Sequence, residues 1–428
     1  MGQIFLPQSQ KQCFVSKKLL LALLFVLYVI LLLPHIYKLN QIPRGFWIDE
    51  SAIGYNSILI ATTGHDEYHA YLPLFPYMLT DHRGGLFIYT TALFFKFFDA
   101  STYTLRLHSS LYASLWILIA GILGAHLSRP INSHATAYVA IYAAIASATL
   151  PWLFPVSRLA WEVNALILTI VLTMYCVFRA FHARGYNYTF AIVAGVTMGL
   201  AMYSYSTARL LIPLMLASLI CLYFPVKYYR YRLFSIAMIF IIICIPFFHF
   251  IYSKPEAANF RFHQITYIFD AIPLEEKISR FMRIFYEHWS FSFLLFEGDQ
   301  NLRHGTGYGG VLFWTVFICF VVGTFRIIHS NKIQPKRFAT FVLINTILGS
   351  MASALTLDGV PHALRSIPTG IFVIIVSIYG FIALLGKNPP WRRHLLFGCI
   401  SIALLFEVSL YLHHYFRKYP QISEPAFH

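Results

Sequence analysis

The sequence is poor in charge. Only 11% of its 428 residues are Asp, Glu, Lys or Arg, where a soluble globular chain carries about 25%. With 58% hydrophobic residues, this excludes an ordinary soluble domain and points to a polytopic membrane protein. Acids are the scarcer sign, 17 against 32 basic residues. In a membrane protein such an excess marks cytoplasmic loops and not a nucleic-acid partner. Cysteine is also sparse. The six show no CxxC spacing; five lie in apolar runs and Cys13 lies in the N-terminal tail, so neither a disulfide framework nor a thiolate metal site is expected. No HExxH and no P-loop occurs, which argues against a histidine-built metal site and a cytoplasmic nucleotide donor. No small-residue cleavage site follows the first apolar run, so it reads as a span and not as a signal peptide.

Long apolar runs are what the chain has in abundance. A spanning helix needs about 20 mostly apolar residues. Such runs fall near 19–37, 108–127, 135–151, 164–181, 188–205, 209–226, 233–252, 310–328, 338–356, 366–385 and 394–412. The expected fold is all-α, with about 11 transmembrane helices (10–13) and two long external loops that contain interfacial helices. A further apolar segment, Leu86–Phe98, is 13 residues long and carries Lys96, which suits a re-entrant or interfacial helix.

Charge then orients the chain. With the N-terminus inside, the short cytoplasmic loops hold Arg129, Arg179, Arg184, Lys227, Arg230, Arg232, Arg326, Lys332, Lys336, Arg337, Lys387, Arg392 and Arg393. The short external loops hold Arg158, Arg209 and Arg365. This is the positive-inside pattern, and counting Leu86–Phe98 as a span would destroy it. All the acids fall outside, Glu407 near the outer end of the last helix among them. Insertion does not require that asymmetry, so the external face is where polar chemistry is expected. The organisation that follows is a cytoplasmic tail (1–18), a transmembrane domain (19–412) with long external loops at about 38–107 and 253–309, and a short external tail (413–428) without a soluble C-terminal domain.

The external loops carry the candidate chemistry. Asp49 and Glu50 follow the first span beside Trp47. Paired carboxylates at a membrane boundary are costly and tend to be functional; they can serve as a base and as its metal or hydrogen-bond partner. A short helix is expected from this pair to Thr63, stopping at Gly64. His82 and Arg83 precede Gly84-Gly85, a pair that lets backbone approach a ligand closely. Arg365 stands at the outer mouth of the tenth span, where arginine either snorkels to headgroups or binds phosphate. Arg158 and Glu162 are four apart, so on a helix they share a face as an ion pair or a loop site. Asp299, Arg303 and His304 lie in the second long loop, whose Asp and Gly content reads as turns.

Together, Trp47-Ile48-Asp49-Glu50-Ser51, Thr63-Gly64-His65-Asp66, Gly84-Gly85-Leu86-Phe87-Ile88-Tyr89 and Arg106-Leu107 resemble the first external loop of type C (GT-C) glycosyltransferases. The likeness is to the protein O-mannosyltransferase and aminoarabinose transferase families. Ser157-Arg158-Leu159-Ala160-Trp161-Glu162, Gly298–Gly305 and His362-Ala363-Leu364-Arg365-Ser366 resemble their bacterial relatives. Two features depart from the pattern: Gly84-Gly85 stands where those families often have Pro-Pro, and the soluble domain many members carry after the last span is not expected here.

The resemblance implies an integral-membrane enzyme, in a bacterial plasma or inner membrane, that moves one sugar from a polyprenyl-phosphate carrier to a glycan, lipid or protein acceptor on the extracytoplasmic face. It implies Asp49 as the catalytic base. Arg365, Arg83 and His82 would hold the donor phosphate, and no cofactor is required, though a divalent cation is compatible with the acids. A flippase or transporter of a lipid-linked sugar is the alternative from another class; a transferase of an oligosaccharide or another group is the alternative among enzymes. Apolar spans without polar breaks at mid-membrane argue against transport.

Overall fold

The structure is a computed structural model that describes residues 17–129, 136–182, 188–330, 335–386 and 388–427. The N-terminal residues before 17, Cys13 among them, and the basic loop residues Arg184, Lys332 and Lys387 lie outside the described residues. Helix α1 (Lys17–Ile36) leads through turns to α2 (Ile48–Thr63). A two-residue hairpin, β1 (Tyr77–Met78) against β2 (Asp81–His82), precedes α3 (Gly85–Phe95). Then come α4 (Thr102–Ser128), α5 (Thr136–Thr149), α6 (Val163–His182), α7 (Tyr188–Ala201), α8 (Ala208–Tyr223) and α9 (Arg230–Ser253). The second long loop holds α10 (Pro255–Ile265) and α11 (Leu274–Glu287). The chain continues through α12 (Trp314–His329), α13 (Lys336–Leu348), α14 (Met351–Ala354), α15 (Ile367–Leu385), α16 (Pro390–Arg417) and α17 (Tyr419–Ile422).

Each of the eleven apolar runs forms a helix over most of its length, and among the described residues six helices are long and apolar enough to cross a membrane. Others, such as α5, α7 and α8, are apolar but shorter. Helix α3 has 11 residues, about 16 Å at 1.5 Å per residue, well short of the roughly 30 Å of a bilayer core. The first half of the second loop forms α10 and α11, in keeping with interfacial helices in both long loops, although its Asp and Gly content reads as turns; α11 has acids in its first turn, where the helix dipole favours them. Its second half, 297–313, is irregular as expected. Gly305-Thr306-Gly307-Tyr308-Gly309-Gly310 has the spacing of a dinucleotide-binding turn, but no strand precedes it among the described residues, so that context is missing.

Helix α15 is the axis of the bundle. Nearly all its side chains are buried, so neighbouring helices and not lipid surround it. It packs against α12 through glycines: a Cβ on Gly380 would lie 1.7 Å from the Cys319 carbonyl oxygen, and one on Gly323 2.2 Å from that of Val376. Small residues let membrane helices approach this closely. At the start of α12, the Glu407 carboxylate accepts the backbone N–H groups of Trp314 (2.7 Å) and Thr315 (3.2 Å). An acid from the last long helix thus caps the positive end of another.

The polar end of the bundle is held by buried ions. Glu50, on α2, is wholly buried and faces Arg106, on α4, also wholly buried: Nε donates to Oε1 at 3.0 Å and Nη2 to Oε2 at 2.8 Å. Arg106 further donates to the carbonyls of Leu39, Pro43 and Gly45. Glu50 Oε1 also accepts the Ala160 N–H. Arg158 donates to the carbonyls of Pro34, Tyr37 and Ile42, satisfying the C-terminal end of α1. Gly84 sits against backbone as well, since a Cβ there would lie 1.6 Å from the Ser204 carbonyl oxygen. The close approach expected at Gly84-Gly85 is therefore to the chain itself.

Breaking one side of a buried ion pair strands the other charge, at about 3–5 kcal/mol. Glu50→Ala and Arg106→Ala should each lower the free energy of detergent-phase unfolding by that much. Glu50→Leu with Arg106→Met should recover part of the loss. Single variants as stable as the parent would refute the clamp.

Candidate active site

A cavity of about 440 Å³ opens at this polar end. Its centre is Arg83, which leaves the β2–α3 turn and reaches three carboxylates. Nη2 donates to Asp49 Oδ1 at 3.2 Å, and Asp81 and Glu162 form ion pairs with it at 3.8 and 3.7 Å. Burial works against the Arg83 charge, but Glu162, Asp49 and Asp81 outweigh it and the pKa is raised. Burial raises the pKa of Glu162, with Arg83 opposing, and raises that of Asp81 in the same way. Asp49 is half-buried at the first turn of α2 and is oriented from both sides: Trp47 Nε1 donates to Oδ2 at 3.1 Å while Arg83 holds Oδ1. The hairpin that carries Asp81 is built by acids too. Asp66 accepts the N–H groups of Tyr68, Ala70 and Tyr77, and Glu67 that of Leu79.

The opposite wall comes from the second loop and the approach to α15. Arg365 donates to Thr356 Oγ1 (3.0 Å), the Asp358 carbonyl (2.8 Å) and Asp358 Oδ2 (2.9 Å). The Asp358 pKa is lowered: burial opposes this, and the Arg365 hydrogen bond and charge prevail. Asp299 ties the two segments together, accepting from Asn301 N–H and Ala363 N–H, each at 2.8 Å. His304 stacks on His362 with ring centroids 4.4 Å apart. Burial, with His304, Arg365 and His288 nearby, holds His362 well below the usual histidine pKa. Behind it, His288 Nδ1 is 2.8 Å from the Ile284 carbonyl, so Nε2 is the acceptor for His362 N–H (3.0 Å) and the Ser353 hydroxyl (2.6 Å).

Asp299, His304 and His362 offer three ligand atoms within 4.8 Å of one another. His304 Nδ1 is buried, lies 3.4 Å from Asp299 Oδ2, and has no hydrogen-bond geometry to it. Two imidazoles and a carboxylate are donors that suit a borderline ion such as zinc.

No protein-family model matches the sequence, and no curated protein matches it. Solved structures do. ArnT from Cupriavidus metallidurans bound to undecaprenyl phosphate superposes with a TM-score of 0.53 at 12% identity, over 94% of this chain and 75% of that one. AglB, the archaeal oligosaccharyltransferase from Archaeoglobus fulgidus in complex with an inhibitory peptide and a dolichol-phosphate, gives 0.55 at 13% identity, over 94% and 56%. The Archaeoglobus fulgidus oligosaccharyltransferase in complex with Zn and sulfate gives 0.50 at 14% identity, over 94% and 53%. The fold is that of the type C glycosyltransferases. The chain spans little more than half the length of these oligosaccharyltransferase chains.

Within this fold most of the sequence-derived candidates converge. Asp49, His82, Arg83, Glu162, Asp299, Arg303, His304 and Arg365 all line the one cavity. The second-loop residues Asp299, Arg303 and His304 thus line the same cavity as Asp49 and Arg83, and Glu162 pairs with Arg83 there. Glu50 and Arg158 are not among the lining residues. Glu50 is turned into the Arg106 clamp, about 100° round the helix from its neighbour Asp49. Arg158 and Glu162 do not share a helix face, because a 3₁₀ turn over Val156–Arg158 ends before α6 begins. Asp81, Asp358 and Trp47 were not singled out as site residues. Asp81 adjoins His82-Arg83, and Asp358 heads the segment that leads to Arg365; being next to a chosen cation was the only signal available.

A raised acid pKa has a stability consequence. Glu162 contributes most to folding when protonated, below its ordinary pKa of 4.5, and that contribution is lost as pH rises through the raised folded value. Glu162→Gln should therefore raise the thermal midpoint at pH 7.5 and leave it nearly unchanged near pH 4. A midpoint lowered at pH 7.5 would mean that the Arg83 pairing outweighs the burial.

Proposed function

We propose that the protein transfers a single sugar from a polyprenyl-phosphate donor to a glycan, lipid or protein acceptor on the extracytoplasmic side, with inversion. The observation that carries this reading is Asp49, held by Trp47 and Arg83 in a cavity whose walls are lined with arginine. An acceptor hydroxyl attacks the anomeric carbon and its proton passes to Asp49. The bond from that carbon to the phosphate oxygen breaks, and the phosphate departs with the electron pair. This leaving group is already ionised near pH 7, so it needs cations and no general acid. Arg83 and Arg365 supply the positive field on our reading, with His82 beside them in the cavity. Where a divalent cation is bound, Asp299, His304 and His362 would hold it, and it would add positive charge on the same side. The likeness to AglB favours oligosaccharide transfer as the second reading. A transporter fits less well, because the cavity and its ions gather at one end of the bundle.

We further propose that the cavity end is extracytoplasmic and the N-terminus cytoplasmic. Arg129, Arg179, Arg232, Arg326 and Arg392 stand at the opposite helix ends, in keeping with the positive-inside rule. In a cysteine-free background, single cysteines at Tyr71 and Tyr286 should react in intact cells with an impermeant thiol reagent. Cysteines at Tyr228 and Trp391 should react only after lysis, and labelling of these two in intact cells would invert the orientation.

The enzymatic reading is tested by incubating purified protein with a panel of polyprenyl-phosphate sugars and oligosaccharides and following carrier release. Asp49→Asn should cut turnover by ~10²–10⁴ at saturating substrates while leaving donor binding intact. Retention of more than about a tenth of the activity would exclude Asp49 as the base.

A further inference from the structure

The cavity holds five arginines, and they are not equivalent. Arg83 is committed to three carboxylates. Arg365 spends both its Nη groups on Thr356 and Asp358. Arg209 lies against the rings of Phe75 and Phe247, and Arg261 is exposed at the rim, hydrogen-bonded to Gln264. An arriving anion would meet a neighbouring carboxylate at Arg83 and would have to displace one at Arg365.

Arg303 differs. Its guanidinium lies over the indole of Trp47, 4.0 Å from the ring centroid, and its Nε donates to Asn301 Oδ1 at 3.1 Å. The side chain is half-buried and lines the cavity. Among the described residues no carboxylate pairs with it, and no hydrogen bond uses its Nη edge. Trp47 and Asn301 fix the plane of the fork and leave its outer edge unused. A guanidinium fixed in this way loses less rotamer freedom on binding and presents two parallel N–H donors, which match two oxygens of a phosphate. The indole under Arg303 is also the one whose Nε1 donates to Asp49, so a single side chain spaces the fork from the proposed base.

We propose that Arg303 is the direct ligand of the donor's phosphate, Trp47 being the platform that sets its distance from Asp49, while Arg83 and Arg365 act through the field and not through contact. This rests on the reading of the cavity as a polyprenyl-phosphate site. Asn301 and Trp47 are then positioning residues, and the phosphate departs along the Arg303 edge as the glycosidic bond breaks.

The test measures binding of undecaprenyl phosphate and of undecaprenol to the purified full chain in detergent, by native mass spectrometry. The unsubstituted protein should prefer the phosphate. Arg303→Ala should weaken undecaprenyl phosphate by about ten- to a hundredfold, as expected for lost charge-assisted hydrogen bonds, and leave undecaprenol binding unchanged, which also reports a folded protein. Arg303→Lys should recover only part, lacking the planar fork, and Arg365→Ala should weaken the phosphate less than Arg303→Ala does. Inorganic phosphate should compete only at far higher concentration; competition on equal terms would overturn the lipid as the phosphate's source. Undecaprenyl phosphate binding that survives Arg303→Ala would overturn the assignment alone. Failure of the unsubstituted protein to prefer the phosphate over undecaprenol would overturn both the assignment and the reading beneath it.

Discussion

The buried pair of Glu50 and Arg106 is the constraint on which the polar end depends. Neither charge can reach water, so each must find its partner inside. Arg106 has donors to spare and uses them on three carbonyls of the 37–46 connection; Glu50 has an acceptor to spare and uses it on the 159–162 turn. Two side chains thereby join α2, α4, the end of the first helix and the approach to α6. Asp49 is placed by this clamp, because its neighbour on α2 is locked inward and the helix geometry then turns Asp49 toward the cavity.

The cavity shows a second use of charge. Its carboxylates and arginines are interleaved, so that Arg83 is surrounded and Arg365 is tied. Interleaving makes it possible to keep many ions in a half-buried space, since each is compensated locally. It also makes the position of any uncompensated group meaningful. Asp49 is held by two donors yet remains half-open to the cavity, and Arg303 lies over the face of the indole whose Nε1 edge donates to Asp49. These two groups carry opposite signs and share Trp47 as a neighbour, which is the arrangement that our proposal uses for proton acceptor and leaving-group partner.

The bundle beneath is nearly featureless chemically. α15 and α6 are buried on nearly every side, and glycine contacts seat α12 on α15. That scaffold holds the helix ends, and the loops between the ends carry the variation.

Much of this was legible in the sequence. Apolar runs located the helices because a 20-residue hydrocarbon requirement leaves a strong one-dimensional signal. The stop of α2 at Gly64 followed from the left-handed cap that glycine allows, and the structure has it at φ 76°. Asp49, Arg83, Glu162, Arg303 and Arg365 could be chosen because charge is rare here and each stands beside an apolar run. Apart from the resemblance, the residues alone did not separate Asp49 from Glu50 as the acid that faces the cavity, nor show that Arg158 is turned away from Glu162: which way each side chain points depends on partners far away in the chain, Arg106 for Glu50 and the end of α1 for Arg158. Interfacial helices are expected in both long loops, but not the bounds of α10 and α11, because the polar composition of the second loop resembles turns. By itself the sequence determined the helical membrane scaffold and the set of ions available to the site, because hydrophobicity and charge are local properties. Only the tertiary structure decided which ions are spent on one another and which remain free to act, because pairing is a contact between residues far apart in the chain, as for Arg83 and Glu162, or Glu50 and Ala160, the latter 110 positions apart.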